Sequence, residues 1–223
     1  MIEILKANYR LILLDCRGHG KSDKPHGDSY YGQKICDDII KLMEHLSIEK
    51  ANLFGYSMGA FITYHLLLTN PGIFISAILG GFVLTLDETE IEKDIQNSKQ
   101  IIEAFKVKNI DQVKKPMARA FRRIAELRNN DLLALAAVQA GLLKDWTESM
   151  TSAQIKSSLK RIKVPVITIV GSSEILLGDK TLIAQLVPDA CHFQIQGKDH
   201  ITVKSDPKFH MVVKAFLDYV NKI

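Results

Sequence analysis

The amino-acid sequence predicts an α/β fold: a mostly parallel sheet flanked by helices, with a helical segment inserted into it. Three observations carry this. Short apolar runs of strand length recur and end at turn-forming residues. Amphipathic helical stretches alternate with those runs, the pattern of βαβ units. Residues 83–159, by contrast, show helical periodicity with no convincing strand.

The first run is Leu11-Ile-Leu-Leu14, led in by Tyr9 and Arg10 and continuous in the manner of a strand covered on both faces. It ends at Asp15, and the following residues to Pro25 are rich in turn formers. A helix is expected over residues 33–46, with Ile35, Ile39, Leu42, Met43 and Leu46 on one face. The apolar run from Ala51 passes through Gly55-Tyr56-Ser57-Met58-Gly59 directly into a helix-like stretch at Ala60, and residues 76–81 make a third strand.

Within the insertion, one amphipathic segment carries Ile91, Ile95, Ile102 and Phe105, and a second carries Ile110, Val113, Met117, Phe121 and Ile124. A third, over residues 131–143, is apolar nearly all round. Strand character returns at residues 164–170, stops at Gly171, and precedes a short helix over 180–186. The last strand is placed at residues 192–195, ending at Gly197. The final helix, 207–220, has Phe209, Val212, Val213, Phe216, Leu217 and Val220 on one side. On this reading residues 1–82 and 160–223 form the sheet domain and 83–159 the helical insertion.

A chain of 223 residues is long enough for one domain with a sizeable core and an inserted subdomain. With 47% apolar and 24% charged residues it has the globular balance, which excludes a disordered or fibrous chain. The net charge of +4 is mild and argues for neither nucleic acid nor membrane partners. No basic stretch followed by an apolar one opens the chain, and no apolar run reaches the length of a membrane span, so a cytoplasmic protein is expected. Cys16, Cys36 and Cys191 are far apart without a C-x-x-C pair, which suggests neither a disulfide framework nor a zinc site; they read as buried thiols.

Gly55 to Gly59 has the G-x-S-x-G pattern of a nucleophile elbow, in which a serine occupies a sharp, strained strand-to-helix turn. Side chains at either glycine are expected to clash with neighbouring backbone. Ser57 would stand at the C-terminal end of its strand, and the Met58 amide, at the start of the helix, could donate to an oxyanion formed there. A serine nucleophile needs a base and a group to orient it. Glu174 lies just beyond one strand end and His200 just beyond the next, in the chain order Ser, acid, His.

Asp179 competes with Glu174 as the acid and also reads as a helix N-cap. Asp199 cannot easily orient its immediate neighbour. His19 and His26 read as loop histidines, and His45, His65, His192 and His210 as structural ones. Lys114, Lys115, Arg119, Arg122, Arg123 and Arg128 read as a solvated helix face, with an anionic substrate such as a coenzyme A ester as the functional alternative.

Together these segments resemble the α/β-hydrolase superfamily over essentially the whole chain. Asp15-Cys-Arg-Gly-His-Gly-Lys-Ser22 looks like the D-x-R-G-H-G-x-S segment that follows the fourth strand there, and residues 55–59 look like the elbow. Glu174 lies where that family usually has aspartate, and His200 where it has the catalytic histidine. The helical insertion is similar in position to the family's cap.

The resemblance implies acyl transfer on a small carboxylic ester, thioester or lactone, with Ser57 attacking, His200 as base and then acid, and Glu174 holding the imidazole; it implies no cofactor and no metal. Family members have three strands before the one expected at 11–14, and the third carries a His-Gly loop that supplies a second oxyanion-hole amide. Neither is found in this sequence, and residues 1–6 look like the last turn of the helix after that strand. The absence of that strand would unpair the edges of the strands ending at Asp15 and Ser57, which could close up against each other, pair with another chain in a homo-oligomer, or leave a poorly folded product. One lost oxyanion donor lowers the rate by on the order of 10²–10³. A non-catalytic remnant, and a carbon–carbon bond hydrolase or perhydrolase of the same fold, remain open on this reading.

Overall fold

The computed structural model describes residues 1–222, and within residues 146–149 the backbone alone. Four strands, β1 (Ala51–Tyr56), β2 (Phe74–Gly80), β3 (Val166–Ser173) and β4 (Cys191–Asp199), pair in the order β1-β2-β3-β4, every pair parallel. The helices are α1 (Ile2–Leu5), α2 (Gln33–His45), α3 (Met58–Thr69), α4 (Glu88–Lys106), α5 (Pro116–Leu127), α6 (Leu132–Ser149), α7 (Ser152–Leu159), α8 (Leu182–Leu186) and α9 (Pro207–Val220). Contacts divide the chain into two compact units, Met1–Ile12 with Leu42–Leu86 and Thr151–Ile223, and Leu13–Lys41 with Asp87–Met150. Among the described residues no helix is long and apolar enough to cross a membrane.

The first unit holds the sheet. Ala77, Ile78 and Leu79 of β2 and Val166, Ile167, Ile169 and Val170 of β3 are buried, the near-continuous apolar run expected of a parallel strand covered on both faces. Ile78, Ile167, Ile169 and Ile195 pack with Phe209, Val213 and Leu217 of α9. Each such side chain removed from water contributes about 1.5–3 kcal/mol. Helix α9 starts where its sequence dictates: Pro207 occupies the first turn and the Asp206 carboxylate accepts from the Lys208 amide at 2.8 Å.

Three sequence expectations need correction here. Residues 11–14 form no strand, although Leu11 packs against the α9 core. A continuous apolar run signals a strand only if a neighbour can satisfy its backbone. No ladder partner is present among the described residues, and Leu13 is left 71% exposed. β1 is thus an edge strand. The second correction concerns Gly171 and Gly197, expected to end strands; both lie inside β3 and β4, which run on to Ser173 and Asp199.

The reason is a local irregularity of the β3–β4 ladder, whose register shifts between Gly171 and Ser173. A Cβ on Gly171 would lie 2.1 Å from the Lys198 carbonyl oxygen, and Gly197 has φ +71°. The glycines permit a bulged, close approach of two strands instead of stopping them. Cys191, read as buried, is exposed at the first position of β4, while Cys36 is buried.

Helix α3 is apolar on most sides, and burial pushes the half-buried His65 imidazole down from 6.5 to about 4, with Phe61 and Tyr64 rings at 4.4 and 5.5 Å. The unfolded chain therefore takes up this proton first. The contribution to stability is fully present above pH 6.5 and is lost as pH falls towards 4. The thermal midpoint of the parent should fall more steeply across that window than that of His65→Leu, which has no proton to bind.

In the second unit α4, α5 and α6 surround a core of Ile101, Ile102, Phe105, Val113, Ala118, Ala125 and Leu135. Asp87 and Asp131 cap α4 and α6 through the Glu90 and Ala134 amides. The basic run expected as a solvated face or an anion site is partly neither. Arg122 is 4% exposed and donates to the carbonyls of Ala104 and Val107 at 2.7 and 2.8 Å, with Glu126 beside it at 2.7 Å. It satisfies the unpaired carbonyls at the end of α4, a need invisible in the charge pattern. Arg119 likewise bonds the Ile110 carbonyl and Asp111. In the loop after residue 14, Arg17 forks onto Asp38 with two bonds of 2.6 Å.

Candidate active site

The site is assembled at the C-terminal ends of β1, β3 and β4, within the first unit. Ser57 follows β1 and caps α3 with φ 54° and ψ −115°, a conformation that costs a non-glycine residue about 1–3 kcal/mol. Two features hold it there. The Ser57 amide donates to the Gly80 carbonyl at 2.9 Å, extending the β1–β2 ladder into the turn. Gly55 lies so close to the next turn of chain that a Cβ on it would sit 2.0 Å from the Gly59 carbonyl oxygen.

Gly59 itself differs from expectation. A Cβ there meets nothing within 4 Å, because the close approach is made by its carbonyl and not by its Cα face. Of the two glycines only Gly55 is required sterically.

His200 lies just beyond β4 and Glu174 just beyond β3, and Ser173 and Asp199, the residues before them, are paired in the ladder. That register brings the side chains together. His200 Nε2 is 2.9 Å from Ser57 Oγ, and His200 Nδ1 lies 3.1 Å from Glu174 Oε2 and 3.0 Å from Oε1. The Glu174 side chain is wholly buried and that of His200 is 8% exposed. With Nδ1–H donating to the carboxylate, Nε2 is the acceptor that faces the serine hydroxyl.

Burial alone would raise the Glu174 carboxyl. The hydrogen bond and charge of His200, with the Leu176 and Ile175 amides at 3.2 and 2.8 Å, outweigh it and hold the pKa below the usual carboxylate value. The carboxylate can therefore stay ionised beside the imidazole. Asp179, its rival in the sequence, is engaged elsewhere: one oxygen accepts from the amide and hydroxyl of Thr181 at 2.7 Å each.

Met58 begins α3, so its amide is among the first-turn N–H groups without an intrahelical acceptor. Asp199 shapes the loop that carries His200, accepting from the Ile201 and Thr202 amides at 3.0 and 2.8 Å. Two groups escaped the sequence reading: Asp199 as a loop former, signalled only by a carboxylate two and three residues before free amides, and Tyr56, whose hydroxyl donates to the His200 carbonyl. The remaining histidines stand apart from this chain of bonds. His26 pairs with Asp131, His192 with Thr168, and His210 with the Lys204 carbonyl. Among the described residues no group of His, Cys, Asp and Glu is placed to hold a metal ion.

Comparison with known proteins agrees with this arrangement of strands. The sequence pattern of the family described as alpha/beta hydrolase fold matches residues 1–207. The chain is 24% identical to 3-oxoadipate enol-lactonase 1 of Acinetobacter baylyi, over 97% of its own length and 81% of the lactonase. It is 42% identical to the AB hydrolase superfamily protein YfhM of Bacillus subtilis over 69 residues, which span 30% of this chain and 24% of that one. A solved structure from a study of carboxylesterases of Nitrososphaera gargenis superposes with a TM-score of 0.74 at 21% identity, over 99% of this chain and 84% of that one.

Proposed function

Because the chain belongs to the α/β-hydrolase family, we propose that it is a serine hydrolase that acts by acyl transfer on a small carboxylic ester, thioester or lactone. The observation that carries the reading is the hydrogen-bonded sequence Ser57 Oγ, His200 Nε2, His200 Nδ1, Glu174 within one buried site. Ser57 Oγ attacks the substrate carbonyl while its proton passes to His200 Nε2. Glu174 stabilises the resulting imidazolium and keeps the ring in the reactive tautomer. The Met58 amide donates to the oxyanion. His200 then returns the proton to the departing alcohol, thiol or ring oxygen, and a water deprotonated by the same nitrogen releases the acid and restores Ser57.

The names of the relatives point to the same carbonyl chemistry, a lactone in one case and carboxylic esters in the other. The test is pre-steady-state hydrolysis of nitrophenyl esters of short acids. A burst of nitrophenolate approaching one equivalent, followed by slower turnover, is expected. Hydrolysis no faster than that of Ser57→Ala would overturn the reading.

A further inference from the structure

We infer that Tyr56 is a positioning residue for His200, fixing the histidine's backbone at the place where Ser57 fixes its ring. The inference rests on the acyl-transfer reading above and adds a second tie between the same two elements. Tyr56 directly precedes Ser57, so one dipeptide at the end of β1 reaches His200 twice: the Ser57 hydroxyl meets Nε2 at 2.9 Å and the Tyr56 hydroxyl donates to the His200 main-chain carbonyl. The Tyr56 ring also lies beside the imidazole, with centroids 5.5 Å apart.

The surroundings are shaped to hold that ring. Phe209 meets it edge-on at 5.9 Å, and the Lys204 ammonium sits 5.6 Å from its centroid. On the β2 side a Cβ at Gly80 or Gly81 would lie 2.8 Å from the ring, so the Gly-Gly pair ending β2 is the slot that admits it. Gly81 has φ +57°, which a side chain would resist independently. Burial, and then the charges of Glu174 and Asp199, push the phenol pKa up, so the hydroxyl stays protonated and remains a donor. The loop is anchored at Val203, buried in the α9 core, and by the Lys198–Asp206 ion pair, and the Tyr56 hydroxyl adds a tie at His200 itself. Displacement of a reacting group by about 1 Å can cost 10²-fold in rate.

The test compares the parent with Tyr56→Phe, which keeps the ring and deletes the donor, and with Tyr64→Phe, which deletes a buried hydroxyl that has no hydrogen-bond partner among the described residues. The readouts are the second-order rate at which a fluorophosphonate modifies Ser57 and the downfield proton resonance of His200 Nδ1–H. Tyr56→Phe should label about tenfold more slowly, with the resonance broadened by exchange, while Tyr64→Phe stays within about twofold of the parent. The parent should in addition show a slowly exchanging Tyr56 hydroxyl proton, an observation that requires no variant. Tyr56→Phe labelling at the parental rate with a sharp resonance, or the absence of that hydroxyl proton, would overturn the positioning role and leave the Ser57 reading standing. A folded parent that does not label overturns both.

Discussion

Replacing Ser57 or His200 by alanine should lower kcat for a short-chain ester by on the order of 10⁴-fold or more, and the double variant should be little worse than either single one, as expected if the two act as a unit. Glu174→Gln should follow at about 10⁴-fold, through loss of the tautomer in which Nε2 faces the serine and of the charge that would stabilise the imidazolium. The structural basis is the continuous chain of contacts at 2.9, 3.0 and 3.1 Å in a site where the carboxylate is fully buried. KM should change little, since none of the three contributes much to ground-state binding. Asp179→Asn should leave kcat near the parental value, as its carboxylate serves Thr181 and Gln185. The burst assay with nitrophenyl esters reads all five variants. An Asp179→Asn variant as damaged as Glu174→Gln would reverse the assignment of the acid.

The elbow glycines should separate just as sharply in stability. Gly55→Ala places a carbon 2.0 Å from a carbonyl oxygen and 2.5 Å from the Ala60 nitrogen, and both belong to backbone that α3 holds in place. Overpacking against such atoms costs about 3 kcal/mol, at the upper end of its usual range. Relief would require β1 and α3 to move apart, which would also displace Ser57. Gly59→Ala meets nothing within 4 Å and lies in the first turn of a helix, where alanine is favoured over glycine by about 0.5–1 kcal/mol. Urea unfolding of the two variants checks this. Equal losses at both positions would mean that the turn is shaped differently.

The parts of the fold that the sequence disclosed are those dictated by short-range rules. Alternating strand-like and amphipathic stretches place β1 to β4 and α9 within a few residues, and the candidate site residues fall at strand ends because parallel βαβ units put their loops there. That Ser57, Glu174 and His200 come together is legible for that reason, and because a serine between two glycines, with a strand before it and a helix after it, marks a sharp turn that exposes its hydroxyl.

What depended on neighbours distant in the chain was not legible. Residues 11–14 have every local mark of a strand and pair with no strand among the described residues. Gly171 looks like a strand terminator and is instead a point in β3 where β4 approaches too closely for a side chain. Arg122 belongs by charge to a solvated face and by geometry to the C-terminal carbonyls of α4. Tyr56 occupies a variable position of its motif, and only the approach of the His200 carbonyl gives it a task.

The central claim is that Ser57 is activated by His200. The most direct measurement is mass spectrometry of the folded chain after treatment with a fluorophosphonate, with the adduct located by peptide mapping. In that reaction the Ser57 Oγ–P bond forms, the P–F bond breaks, fluoride departs and the hydroxyl proton passes to His200. The account predicts one adduct per chain, on Ser57, abolished by His200→Ala at unchanged fold. A folded parent that carries no adduct, or an adduct that persists on Ser57 in His200→Ala at the parental rate, would contradict it.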